Sequence, residues 1–119
     1  PLINSRINVP FGLSVQVSYY LVSAITDFHK KNHLYVIWIG GNDYVAGRSD
    51  VDYATTNTVE TIRTEIEWLT YYGAHNILIM NLPDLSVVPE VISKGADNVE
   101  VVKQLVSLHN EKLSKMVAE

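Results

Sequence analysis

The stretch YVIWIGGNDYVAG, residues 35–47, decides the fold, because an apolar run ends there in a polar turn. Five aromatic or β-branched residues lead directly into two glycines and an Asn-Asp pair. A short run of this composition, extended by His33 and Leu34, predicts a strand buried on both faces. Glycine lets the backbone turn sharply and lets a ligand approach closely. Asn42 adds a neutral amide that can donate hydrogen bonds to an oxyanion.

A helix is predicted after this strand, at residues 57–72. Asn57 is the expected N-cap, Glu60 completes a capping box, and Gly73 suits a left-handed C-terminal cap. The apolar residues recur at helical spacing, which predicts one buried stripe. That stripe consists of Val59, Ile62, Ile66 and Leu69.

The remaining segments complete an alternating pattern of strands and helices. NILIMNL, residues 76–82, predicts a second buried strand. Apolar spacing predicts an amphipathic helix over residues 14–31, with Ser14 as its cap, and a third helix over residues 98–117. Residues 86–98 are expected to form a long loop.

Strand, helix, strand and helix in this order predict an α/β fold with a parallel sheet. A right-handed crossover places the carboxyl ends of both strands at the same edge. GGNDY at residues 40–44 and NLPDLS at residues 81–86 are therefore expected to lie side by side. Open α/β sheets bind their ligands at this edge.

Composition excludes several classes of function. The chain has 119 residues, a net charge of −4 and no basic cluster beyond His29–Lys31, which argues against a nucleic-acid partner. It has no cysteine, which excludes disulfides, thiolate metal sites and a cysteine nucleophile. No apolar run approaches the roughly 18 residues of a transmembrane segment. No pair of His and carboxylate recurs at ligand spacing, so we expect no metal and no cofactor.

IGGNDY, with Gly40, Asn42 and Asp43 after a buried strand, resembles the third signature block of the SGNH (GDSL-type) hydrolases. GAHNILIMNLPDLSVVP, residues 73–89, resembles a later strand and its loop in the same family. FGLSVQVSYYL and LHNEKL resemble the flanking helices. The similarity spans nearly the whole chain and is greatest to bacterial phospholipase and acyltransferase members.

This resemblance implies a flavodoxin-like three-layer sandwich with a parallel sheet, incomplete in this chain, and the activity of a serine ester hydrolase. In the family a Ser of a G-D-S motif attacks the acyl carbonyl, and a His of a D-x-x-H motif is the base. The oxyanion is held by a Ser amide, a Gly amide and the third-block Asn. The last role falls on Asn42, with Gly40 as the motif glycine and Asp43 as an organiser of the turn.

Three of the family's elements are absent: the chain has no G-D-S, no D-x-x-H and no second-block glycine, since Gly12 lies in no matching context. Residues 1–119 are therefore expected to be the central portion of a single SGNH domain. Nucleophile and base would lie outside the chain or on a complementary chain, so the isolated chain should be inactive. The expected substrate is an acyl ester or lipid, with hydrolysis and acyl transfer both open. We expect a secreted or periplasmic bacterial enzyme.

Alternative interpretations stay open from the residues alone. GGND is also an ordinary turn sequence, which would leave a non-catalytic flavodoxin-like binding or interaction domain. His29, His33 and His75 precede their strands and are expected at the opposite edge from Asn42. His109 is expected to pack beside the apolar face of the third helix. The serines lack a nucleophile elbow, so Ser14 and Ser86 fit caps and turns better.

Overall fold

The computed structural model describes residues 2–3, 10–47 and 50–119, and it shows mixed helices and strands. Two 3₁₀ turns, Lys30–Asn32 and Leu85–Val87, join some of the longer elements. In chain order the strands and helices are β1 (Leu2–Ile3), β2 (Pro10–Phe11), α1 (Leu13–Ser23), β3 (Leu34–Ile37), α2 (Gly41–Val45), α3 (Val51–Tyr71), β4 (Asn76–Ile79), α4 (Pro89–Ser93) and α5 (Ala96–Val117).

Contacts divide the chain into two compact units. Unit 1 consists of Pro1–Ile37 and Thr61–Met80, and unit 2 consists of Trp38–Glu60 and Asn81–Glu119. In unit 1, β1 and β2 pair antiparallel, whereas β3 and β4 pair parallel. The parallel register runs from Leu34 opposite Asn76 to Ile37 opposite Ile79. The α/β fold with a parallel sheet, predicted from the order of strands and helices, is confirmed.

The expectation that both strands are buried on both faces is wrong for the described residues. Ile37 is buried, but Leu34 and Val36 are 65% and 55% exposed, and Leu78 on the neighbouring strand is 49% exposed. Side chains alternate across a strand, so one face of the sheet is packed and the other is open. The apolar composition of β3 is typical of a strand that is buried on both faces, but only one of its faces is packed in the described residues.

Helix α3 begins at Val51, six residues before the predicted start. Asn57 and Glu60 therefore lie inside the helix, and the predicted cap and capping box are wrong. The start moves because Ala54 and Thr55 are buried and extend the packed face toward the N-terminus. The predicted stripe is correct, with three members buried and one half-buried: Val59, Ile62, Leu69 and Ile66.

The end of α3 matches the prediction. Gly73 has φ +109°, the left-handed region that glycine adopts at little cost. The N–H of Gly73 donates to the carbonyl of Thr70, and that of Ala74 to the carbonyl of Leu69. These bonds close the last turn of the helix before β4.

Helix α1 ends at Ser23, eight residues before the predicted end. Its N-cap is Gly12, without a side-chain hydrogen bond, so the predicted cap at Ser14 is wrong. After the C-cap at Ala24 the chain forms a local turn at Asp27, whose carboxylate accepts from the N–H of His29 at 2.8 Å. That hydrogen bond keeps the pKa of Asp27 below its usual value.

The second half of the chain forms more helix than expected. Strand β4 ends at Ile79, earlier than the predicted residue 82. The predicted loop at residues 86–98 contains α4, which has Pro89 in its first turn, where proline is tolerated. In α5 the predicted apolar face is buried as expected: Val102, Leu105, Leu113 and Met116.

The core of unit 2 holds the segments that follow the two parallel strands. Tyr44 of α2 and Leu82 of the later loop pack with residues from α3, α4 and α5 in one buried cluster. The cluster consists of Tyr44, Ala54, Leu82, Val91, Val102, Leu105 and Val106. Both polar loops are therefore anchored in the same core by one large side chain each.

Candidate active site

The G-G-N-D turn changes direction at Gly40. Gly40 is buried, has φ +110° and forms the N-cap of α2. A side chain there would be strained by the backbone conformation. It would also be crowded, because an added Cβ would lie 3.2 Å from Cε1 of His109 and 3.4 Å from Cε2 of Tyr44. Glycine is required at this position for both reasons.

Asn42 and Asp43 occupy the first turn of α2, and both are exposed. The backbone around them is held by two hydrogen bonds. The Gly40 carbonyl accepts from the N–H of Tyr44 at 3.2 Å, and the Asn42 carbonyl accepts from the N–H of Ala46 at 3.0 Å. The turn thus presents a polar amide to solvent on a fixed backbone.

The second loop contains an Asp-Ser turn. Oδ1 of Asp84 accepts hydrogen bonds from the N–H of Ser86 at 3.0 Å and from its hydroxyl at 2.5 Å. The hydroxyl of Ser86 and then its N–H hold the pKa of Asp84 below its usual value. Ser86 is only 2% exposed, and its hydroxyl donates to the Asp84 carboxylate that caps the turn, so Ser86 has a role in the turn, as the sequence indicated.

The two loops lie against each other, as predicted. A Cβ added to Gly41 would lie 3.6 Å from Cδ1 of Leu85 and 3.9 Å from Cδ2 of Leu82. The N-L-P segment is also tied to α5 by Asn110, whose side-chain amide bonds both the N–H and the carbonyl of Leu82 at 2.9 Å. One amide therefore holds the backbone of the second loop.

His109 of α5 lies beneath the first loop. Its side chain is fully buried, and Nδ1 is 2.7 Å from the Tyr44 hydroxyl. The two rings meet edge to face, with centroids 5.3 Å apart. Burial lowers the pKa of His109 to about 4, so the ring is neutral at pH 7. The expectation that His109 packs beside the apolar face is confirmed.

The motifs do not predict the partners of His109 and Asn110. Tyr44 stands within GGNDY and Asn110 within LHNEKL, and neither motif assigns a role to that residue. A signal was present, because His109 falls four residues after Leu105 and four before Leu113, on the buried stripe of α5. A polar residue at such a position needs a partner.

His29, His33 and His75 are exposed and belong to unit 1, whereas Asn42 belongs to unit 2. Nε2 of His33 is 3.4 Å from Oδ2 of the half-buried Asp27 in the same unit.

Within residues 2–3, 10–47 and 50–119, no group of three or more His, Asp or Glu side chains is arranged to hold a metal ion. In the same part of the chain, no helix has the length and apolar character that crossing a membrane requires.

The sequence motifs led us to expect a glycine turn with an exposed amide after one strand, beside the loop that follows a parallel strand. The geometry of the two loops agrees with this expectation. The family model of the GDSL-like lipases/acylhydrolases matches residues 5–119. The chain belongs to this family.

The chain is also similar in sequence to a curated protein. The chain is 27% identical over 116 residues to a protein named phosphatidylcholine-sterol acyltransferase from Aeromonas hydrophila. The aligned part covers 98% of this chain and 33% of that relative. The chain thus spans about a third of the length of the relative.

Proposed function

We propose that this chain is the central portion of a single serine ester hydrolase domain, in which Asn42 stabilises the oxyanion. The side-chain amide of Asn42 donates a hydrogen bond to the carbonyl oxygen as it gains negative charge. A serine nucleophile and a histidine base are supplied by residues outside these 119, on the same polypeptide or on a complementary chain. Such a donor typically contributes about 3 kcal/mol to lowering the barrier.

One observation carries the proposal: Asn42 is exposed on a turn whose two ends, Gly40 and Tyr44, are buried. Gly40 and Tyr44, on either side of it, are fixed in the core of unit 2, whereas Asn42 itself faces solvent. A donor that is already oriented needs no reorganisation when charge develops, which is why a fixed donor is effective. Asp43, in the same turn, is proposed to organise it.

Two further observations support a catalytic unit completed by other residues. The chain aligns with a third of its relative and contains neither G-D-S nor D-x-x-H. In unit 1, one face of the sheet exposes Leu34, Val36 and Leu78. An open apolar face on a parallel sheet is normally covered by further structure.

The proposed substrate is an acyl ester of a lipid. The family's name points to ester hydrolysis, and the relative is named for acyl transfer from phosphatidylcholine to a sterol. Both reactions share a first half, in which the serine oxygen bonds to the acyl carbon and the ester alcohol leaves with a proton. They differ in whether water or a second alcohol then takes the acyl group. Asn42 would serve both halves, since each passes through an oxyanion.

The test is steady-state hydrolysis of short- and medium-chain p-nitrophenyl esters by the full-length natural protein and its Asn42→Ala variant. We expect kcat to fall by roughly 10²-fold or more, with little change in KM, because the lost bond forms only in the transition state. Asn42→Asp, which is isosteric but negatively charged at neutral pH, should lower kcat at least as much. Gln104→Ala, at an exposed site on α5, is the control.

An unchanged kcat in Asn42→Ala would remove the proposed role. Turnover by the isolated 119 residues would contradict the proposal that nucleophile and base lie outside them. Adding an alcohol acceptor such as cholesterol to the full-length enzyme, and measuring cholesteryl ester against free acid, separates transfer from hydrolysis.

A further inference from the structure

One buried side chain contacts the G-G-N-D-Y turn on both sides of Asn42. Before Asn42, the backbone of Gly40 approaches His109 so closely that an added Cβ would be 3.2 Å from Cε1. After Asn42, the hydroxyl of Tyr44 is 2.7 Å from Nδ1 of the same ring. The imidazole of His109 therefore fixes the turn at two points, with Asn42 between them in the chain.

Stability alone does not account for this polar pair. Tyr44 is 1% exposed, so its hydroxyl needs a buried partner, and Nδ1 of His109 supplies one. The same ring leaves Nε2 buried without a hydrogen-bond partner among the described residues. Two phenylalanines would fill similar space and bury no unsatisfied polar atom. What they would lack is the directional bond that fixes the ring of Tyr44.

A direct chemical role for His109 does not fit its position. The side chain is 0% exposed, so it cannot touch a substrate, and a general base must reach the proton that it removes. Any effect of His109 on the reaction has to pass through the residues it contacts, which include Gly40 and Tyr44. Both belong to the turn that carries Asn42.

We infer that His109 is a positioning residue, which acts through Gly40 and Tyr44 to hold the amide of Asn42 where the oxyanion forms. This inference rests on the proposed function of Asn42. Misplacing a catalytic donor by about 1 Å costs up to roughly 10²-fold in rate. Loss of the Tyr44–His109 bond should therefore lower kcat while leaving KM nearly unchanged.

The experiment is a double-mutant cycle in the full-length protein, with p-nitrophenyl ester hydrolysis as the assay. Tyr44→Phe removes one oxygen atom. His109→Leu and His109→Asn form an isosteric pair, of which only Asn offers a polar group to the Tyr44 hydroxyl. Each variant is measured alone and combined with Asn42→Ala, at a temperature where circular dichroism shows the protein folded.

We expect Tyr44→Phe and His109→Leu to lower kcat about tenfold. His109→Asn should retain more of kcat than His109→Leu. In the Asn42→Ala background none of the three should lower kcat further, because the residue they position is gone. Val102→Ala, a destabilising change in the same core, is the matched control and should leave kcat unchanged.

The possible failures are distinct. If Asn42→Ala itself leaves kcat unchanged, the proposed function fails, and the inference fails with it. If Asn42→Ala lowers kcat but the Tyr44 and His109 variants do not, the inference alone is overturned. The inference is also overturned if the Tyr44 and His109 variants lower kcat in the Asn42→Ala background by the same factor as they do in the wild type. Should His109→Leu not fold, Tyr44→Phe and His109→Asn carry the same comparison.

Discussion

Asn110 makes two hydrogen bonds to a single residue, Leu82. Its Oδ1 accepts from the N–H of Leu82, and its Nδ2 donates to the carbonyl of Leu82, both at 2.9 Å. This is the pattern by which one strand residue pairs with another, here formed by a side chain. Leu82 is 7% exposed, so its backbone groups have little access to water as an alternative partner. A helix side chain thus replaces a neighbouring strand for the N-L-P segment.

Asn110→Leu should destabilise the protein more than an ordinary loss of one hydrogen bond. The variant leaves a buried N–H and a buried carbonyl unpaired, each costing about 1–3 kcal/mol. Asn110→Asp should also be destabilising, because a carboxylate accepts from the N–H but repels the carbonyl. Urea unfolding measures both. Gln104→Ala, on the exposed side of α5, is the control and should change stability little.

Gly40→Ala should destabilise more than Gly73→Ala. Both glycines have positive φ, +110° and +109°, so both variants include backbone strain of about 1–2 kcal/mol. At Gly73 the atom nearest an added Cβ is Cβ of Lys30, at an ordinary 3.7 Å, whereas at Gly40 Cε1 of His109 lies at 3.2 Å. The crowding should add at least about 1 kcal/mol. Equal unfolding free energies for the two variants would contradict the contact.

The parallel sheet and the position of the polar turn were predictable from the sequence, because each depends on a local pattern. Backbone preference predicts the strand from the apolar run at β3 and the turn from the glycines after it. Side-chain periodicity predicts the buried stripe of α3. The expectation that the two loops meet also followed, since it needs only the topology of strand, helix and strand. The contact of Gly41 with Leu82 and Leu85 agrees with it.

What the sequence did not predict depends on contacts distant in the chain. Asn57 has the composition of a cap, yet α3 begins at Val51 because packing of Ala54 and Thr55 outweighs capping preference. His109 and Tyr44 are 65 residues apart, and no local pattern links them. The assignment of Asn42 rests on a family resemblance, since turn chemistry alone fits a structural glycine loop equally well.

Lys112→Met should destabilise the contact between α5 and the start of α3. Nζ of Lys112 lies 3.0 Å from the Asp52 carbonyl, 2.9 Å from Oγ1 of Thr55 and 2.6 Å from Oγ1 of Thr56. Losing these bonds should cost about 1–2 kcal/mol in thermal or urea unfolding. The salt bridge to the Asp52 carboxylate contributes less, because that side chain is 90% exposed.

The controls for Lys112 separate hydrogen bonds from charge. Asp52→Asn should have a much smaller effect than Lys112→Met, and added salt should change the Lys112→Met difference only slightly. Lys115→Met removes an exposed i,i+4 pair with Glu111 on the same helix and should be nearly neutral. Equal losses in Asp52→Asn and Lys112→Met would show that the ion pair dominates.

Protonation of His109 should destabilise the protein between pH 6.5 and about 4. The folded state lowers the pKa of His109 from its usual value of 6.5 to about 4, because the charged ring would be buried. In this window the unfolded chain binds a proton that the folded chain does not, so the free energy of unfolding falls as pH falls. The full difference corresponds to about 3 kcal/mol.

The matching measurement is urea unfolding from pH 7.5 to 4 for the wild type and a Tyr44→Phe, His109→Phe double variant, which fills the same space without a titrating ring. The stability of the wild type relative to the variant should be constant above pH 6.5 and should fall below it. A difference that does not change with pH would show that His109 accepts a proton in the folded state as readily as in the unfolded one. The Tyr44–His109 contact would then have to open to water, and His109 could not hold the turn that carries Asn42 in a fixed position.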